Sequence, residues 1–97
     1  MQFIVMGYDG KDDKALERRL AMREEHLAGA RLMKTKGQLL YAAALLDDLG
    51  HMIGSMMVVD YSDRDALDVW LTTEPYIVGE VWKSVEVTTC KVPDFFQ

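Results

Sequence analysis

The chain has 97 residues, enough for one domain (residues 1–97) with a small core, and 28% of them are charged. Its longest apolar run, Tyr41 to Leu46, falls far short of the roughly 20 residues a membrane-crossing helix needs. Sixteen acidic residues against 11 basic ones leave a net charge of −5, which disfavours binding to a phosphate backbone.

The N-terminus enters a strand directly, without a basic, apolar leader, and a cytoplasmic protein is expected. Cys90 is the only cysteine, so no intrachain disulfide forms, and its β-rich surroundings suggest a buried, inert thiol.

Residues 2–8 are β-formers closed by the turn signal Asp9-Gly10. Asp12 and Asp13 are candidate caps for a helix of strong formers from Ala15 to Lys36, stopped at Gly37. Leu16, Leu20, Leu27 and Ala30 share one face at helical spacing and predict its inner side. Residues 38–46 and Ile53 to Tyr61 read as two strands of a hairpin turning at Asp47-Asp48-Leu49-Gly50. Ser62 with Asp65 predicts the cap of a second helix, with Ala66, Val69 and Trp70 facing inward and Pro75 ending it. Residues 81–88 alternate as a last strand, with Val81, Val85 and Val87 on one side.

The order βαββαβ predicts a ferredoxin-like α+β domain: a four-stranded antiparallel sheet, order 4-1-3-2, with both helices on one face. The first three strands are apolar on both sides, Phe3 and Val5 against Ile4 and Met6, Met57 and Val59 against Met56 and Val58. Two-sided apolar strands require both faces of a sheet to be covered. The helices cover one. A second copy of the chain, sheet against sheet, is the expected cover for the other.

This topology collects Asp9, Asp47, Asp48, His51, Ser55 and Glu74 near one end of the domain. A single helix from Ala15 to Lys36 would span roughly 33 Å and overshoot strands of roughly 20–25 Å. A break near Met22-Arg23 is therefore expected, with His26 in the first turn of the main segment and close to Asp9. There a helix N-terminus favours neutral imidazole, the form able to accept a proton, and a carboxylate on the other ring nitrogen would fix the tautomer. Asp9 is the expected carboxylate and Glu74 the alternative. Ser55 offers a hydroxyl to orient a ligand, and Tyr8, Tyr41, Trp70 and Tyr76 offer an aromatic lining. His51 reads as exposed and uninvolved. His26, His51, Asp9 and Cys90 have no metal-ligand spacing, so no metal is expected.

The stretch Leu16-Glu17-Arg18-Arg19-Leu20-Ala21-Met22-Arg23-Glu24-Glu25-His26-Leu27-Ala28 resembles the signature of the YCII-related family, with its Arg-x-x-His-Leu core. Asp9 after the first strand, Gly54-Ser55 opening the third, and Glu74-Pro75-Tyr76 followed by Gly79 extend the likeness along nearly the whole chain. The resemblance implies a dimeric α/β barrel with a pocket in each subunit and a His–Asp dyad. Carried onto this chain the histidine is His26 and the acid Asp9, or Glu74 where relatives carry Asp-Pro. Relatives often have proline where Glu24 stands.

The activity associated with the family, dehydrochlorination of a chlorinated hydroxyhydroquinone, requires neither metal nor redox cofactor. The expectation is a cofactor-independent lyase acting on a small hydroxylated or chlorinated aromatic, with Ser55, Glu74, Tyr76 and Tyr8 contacting it. The alternative is a small-molecule-binding or accessory protein of the same fold without turnover.

Overall fold

β1 (Gln2–Asp9) alternates half-buried and buried residues along its whole length, so Phe3, Val5, Gly7 and Asp9 face one layer and Ile4, Met6 and Tyr8 the other. In the computed structural model, which describes residues 1–97, β1 is a central strand of an antiparallel sheet. It is followed by α1 (Ala15–Thr35), β2 (Leu39–Leu46), β3 (Met52–Asp60), α2 (Arg64–Thr73), α3 (Pro75–Val78), β4 (Trp82–Cys90) and a short 3-10 turn (Asp94–Phe96). The sheet order is β2-β3-β1-β4, the expected ferredoxin-like arrangement read from its other edge.

Phe3, Val5, Met57, Val59, Leu67 and Val81 are buried between the sheet and the helices. The opposite face carries Ile4, Met6 and Tyr8 from β1, Met56 and Val58 from β3, and Tyr41, Ala43 and Leu45 from β2. Both sides of these strands are apolar, as their composition predicts. Cys90 lies half-buried at the end of β4 rather than in the core, and burial still pushes its thiol up.

Three expectations are corrected. First, α1 is unbroken through 21 residues, and His26 is deep inside it. Ala21 to Glu24 are all good helix formers, and without proline nothing removes a backbone hydrogen bond or clashes with the preceding turn. The helix does exceed the strand length, and Leu16, Leu20 and Leu32 lie exposed along it.

Second, the buried residues of α1 are Ala15, Arg19, His26 and Met33; of the expected inner face Ala30 packs on the core and Leu27 is half-buried, while Leu16 and Leu20 are exposed. Arg19 and His26 are accepted inside because buried groups there pair with them, which is the condition for burying polar side chains. Hydrophobic periodicity is blind to that exception.

Third, α2 is capped by Asp63, whose carboxylate accepts the Ala66 N–H at 2.8 Å, and not by Ser62. Glu74 takes the extended conformation usual before proline (φ −63°, ψ 125°), and Pro75 then opens α3 instead of only ending α2.

Two close approaches put β4 and α3 where the site needs them. A register shift between Tyr8 and Asp9 leaves Lys83 unpaired and turns Trp82 inward opposite Asp9. The expected alternation from Val81 through Val85 is therefore interrupted. The indole of Trp82 then lies against Gly7, where any side chain would collide with it. At the end of α3, Gly79 lies against Met22 of α1 with no space for a Cβ. That contact draws the Glu74-Pro75-Tyr76 corner onto α1.

A histidine–glutamate pair above a ring-sized cleft

Two turns of α1 present Arg19, Arg23 and His26 toward β2 and β3. The spacing i, i+4, i+7 keeps all three on one side of a continuous helix. Tyr76 from α3 inserts between the outer two. Its ring stacks on the His26 imidazole (centroids 3.9 Å apart, planes 10° apart), and the Arg19 guanidinium carbon lies 4.7 Å from the same ring centroid. Trp82 meets the imidazole edge-on at 6.1 Å. Burial pushes the Tyr76 phenol above its ordinary range, with Arg19 and Arg23 pulling the other way.

Glu74 completes the site from the α2–α3 corner. Its Oε1 contacts Nδ1 of His26 at 2.6 Å and accepts the backbone N–H of Tyr76 at 3.0 Å. Both side chains are buried. A carboxylate on Nδ1 selects the tautomer with the proton there and leaves Nε2 as the acceptor. No residue of the chain bonds Nε2, and His26 lines a cleft of about 170 Å³. The expected pairing of His26 with Asp9 is not formed, and the alternative acid, Glu74, occupies that position.

Asp9 belongs to a second cluster. Both its oxygens accept from Arg19 Nη1, at 3.0 and 3.1 Å. Arg19 Nη2 donates to Ser55 Oγ at 2.7 Å, and the Trp82 indole N–H donates to the same oxygen at 3.3 Å. Burial pushes the Asp9 carboxyl up, and this outweighs the downward pull of Arg19. Arg19 Nε is buried without a partner.

The cleft is lined by Arg19, Arg23 and His26, by Ala42, Ala43 and Ala44 of β2, and by Ser55, Met56, Tyr76 and other apolar neighbours. Ala42 and Ala44, on the same sheet face as Met57 and Ser55, leave open the space that larger side chains would fill. The cleft volume of about 170 Å³ is comparable to the roughly 150 Å³ of a cavity that holds a benzene ring. Of the residues expected to contact a ligand, Ser55 and Tyr76 line the cleft and Glu74 stands behind His26.

Tyr8 is not brought there. It lies toward the other sheet face and lines a separate depression with Lys11 and Asp12. Tyr41 is largely exposed and Trp70 stacks on Tyr61, so neither contributes to the cleft. His51 is exposed and pairs only with Asp47, at 3.5 Å. No group of three His, Cys, Asp or Glu side chains converges on a metal-sized space.

Arg19 and Trp82 were not singled out from the sequence, and Arg23 entered only as the arginine of the Arg-x-x-His-Leu core. Trp82 reaches the site only through the bulge.

A ferredoxin-like domain with a buried His–Glu pair over a one-ring cleft is the class that fold and site define. The chain belongs to the YCII-related domain family, whose model matches residues 1–91. It is 29% identical to protein YciI of Escherichia coli over 97 residues, covering 94% of this chain and 97% of that one. An uncharacterized Haemophilus influenzae protein is 28% identical over the same coverage. Among solved structures, a 5-chloro-2-hydroxyhydroquinone dehydrochlorinase from Burkholderia phenoliruptrix in complex with 2,5-dihydroxybenzoquinone superposes with a TM-score of 0.82. It is 18% identical, with 98% of each chain covered. An antibiotic biosynthesis monooxygenase aligns at 0.54 with 17% identity, over 95% of this chain and 98% of that one. At these identities the structural likenesses establish the fold. No helix is long and apolar enough to cross a membrane.

Proposed function

We propose that this chain is a cofactor-independent lyase of the dehydrochlorinase type, acting on a small hydroxylated or chlorinated aromatic such as a chlorinated hydroxyhydroquinone. The observation that carries this reading is the His26–Glu74 pair, which engages Nδ1 and leaves Nε2 unpartnered on a residue that lines a cleft of about 170 Å³. His26 Nε2 takes a phenolic proton, and Glu74 stabilises the imidazolium through Nδ1. The ring carbon that bears chlorine gains a proton as the ring passes through its keto form. A second phenolic proton and chloride then leave. The sum is loss of HCl, which calls for neither oxidant nor reductant. The dehydrochlorinase of the same fold supports this choice of reaction.

The working unit in this reading is a homodimer. The outer sheet face, with Ile4, Met6, Tyr41, Leu45, Met56 and Val58, is covered by the same face of a second copy, because a monomer would leave these side chains against water.

Chloride release from chlorinated hydroxyhydroquinones, followed under steady-state conditions, tests the reaction. Turnover is expected for the wild-type chain and its loss in His26→Ala. Binding of the aromatic without any chloride release would leave a carrier of small aromatics in place of a lyase.

A further inference from the structure

Among the side chains that line the cleft, the titratable ones are Arg19, Arg23, His26 and Tyr76, and no carboxylate is among them. In a chain of net charge −5 this is a local reversal of sign. The two arginines are not equivalent. Arg19 is buried and matched by Asp9. Arg23 is exposed at the rim and takes part in no ion pair and no hydrogen bond within the chain. Its helical neighbours three and four positions away are Arg19, Leu20, His26 and Leu27, none of them acidic. Its charge nevertheless acts on the Tyr76 phenol, which places it electrostatically over the cleft.

We propose that the cleft selects an organic anion, a flat ring bearing one carboxylate or comparably acidic oxygen, and that Arg23 is the residue that recognises the charge. This rests on the ligand occupying the His26 cleft as proposed above, and it adds the ionic class of that ligand. Arg23 and His26 lie one turn apart, a rise of about 4.5 Å along the helix. An anionic oxygen held by Arg23 therefore leaves another substituent of the same ring within reach of His26 Nε2. A planar guanidinium suits a carboxylate or a pair of adjacent ring oxygens better than an ammonium does. Arg23 is thus a specificity-determining residue, and His26 remains the group that moves the proton.

The test compares two probes of equal shape, 4-hydroxybenzoate and 4-hydroxybenzamide, by tryptophan fluorescence or calorimetric titration of the wild-type chain, Arg23→Gln, Arg23→Lys and His26→Ala. The wild type should bind the benzoate about tenfold more tightly than the amide, the scale of one hydrogen bond to a charged group. That preference should weaken as salt is raised, since Arg23 is open to solvent. Arg23→Gln should bring the ratio close to one by losing affinity for the benzoate alone, and Arg23→Lys should retain most of it. His26→Ala should keep the ratio. Equal affinity for the two probes in the wild type, binding of neither, or an unchanged ratio in Arg23→Gln overturns the proposal. A tenfold preference removed by Arg23→Gln, in a protein that releases no chloride from any chlorinated hydroquinone, upholds the anion site and overturns only the lyase reading.

Discussion

Two buried polar clusters lie side by side on α1, and both border the cleft. Around Arg19, the charge is met by both oxygens of Asp9, and Ser55 Oγ accepts from both Arg19 and Trp82. Around His26, Glu74 engages one ring nitrogen and leaves the other without a partner. Apart from Arg19 Nε, the first cluster spends its polar groups on itself and ties β1, β3, β4 and α1 together. The second holds one group in reserve. A buried network satisfied within the chain gives rigidity, while an acceptor left open beside a cleft is available for chemistry.

Function and stability should therefore separate between the clusters. The largest effect is expected at the open one. His26→Ala should lower turnover by roughly 10²–10⁴-fold with the fold intact, read as kcat beside an unchanged circular dichroism spectrum. Glu74→Gln should fall in the same range, because an amide neither stabilises the imidazolium nor reliably selects its tautomer. Asp9→Asn, by contrast, should leave the pH dependence of kcat where it was. If Asp9→Asn shifts that profile while Glu74→Gln does not, the roles of the two acids are reversed.

The closed cluster should register in stability. Asp9→Ala leaves Arg19 buried without its counter-charge, and a loss of about 3–5 kcal/mol in urea unfolding is expected. Joint replacement with Arg19→Met should recover much of it, because the unpaired charge goes with its partner. A double variant no better than the single one would show that the pair stabilises beyond its own neutralisation. Ser55→Ala should cost less, about 1–3 kcal/mol, by leaving the donors of Arg19 and Trp82 unanswered.

The smallest effect lies outside both clusters. Tyr61 stacks on Trp70, and burial, helped by the nearby charge of Glu74, raises its phenol to about 12. The folded chain then keeps a proton that the unfolded chain releases near pH 10. Tyr61 thus contributes stability fully below about pH 10 that fades as pH rises through about 12. Tyr61→Phe should flatten this alkaline decline in the melting temperature, and it should remove the latest phase of phenolate absorbance. A variant that declines as steeply as the wild type would place the alkaline instability elsewhere.

Much of the fold was legible in the residues. The β-former runs, Gly37, the Asp47–Gly50 turn and the two-sided apolar strands predict the observed sheet order and its open apolar face. The inner face of α1 was legible only in part, at Leu27 and Ala30, because Arg19 and His26 are buried by partners from four other elements. Only pairing in three dimensions makes such residues core. His26, Ser55, Glu74 and Tyr76 were recognisable as candidates, whereas the choice between Asp9 and Glu74 turned on the course of α1. Expecting a break moved His26 toward Asp9, and the unbroken helix leaves it level with Glu74. The bulge that turns Trp82 inward has no signature in the alternation around it.

The continuity of α1 gives the site a fixed ruler. Arg19, Arg23 and His26 are carried on one rod, so the span from the charge-reading residue to the proton acceptor cannot stretch or shrink by a loop's whim. What can change cheaply is the floor opposite. Ala42 and Ala44 face the cleft from an edge strand with partners on one side only, and each added methyl group there would trim the space within it. In the proposed reading, a lineage bearing this scaffold can thus retune which ring fits through two small residues, while the distance between Arg23 and His26 stays as the helix sets it.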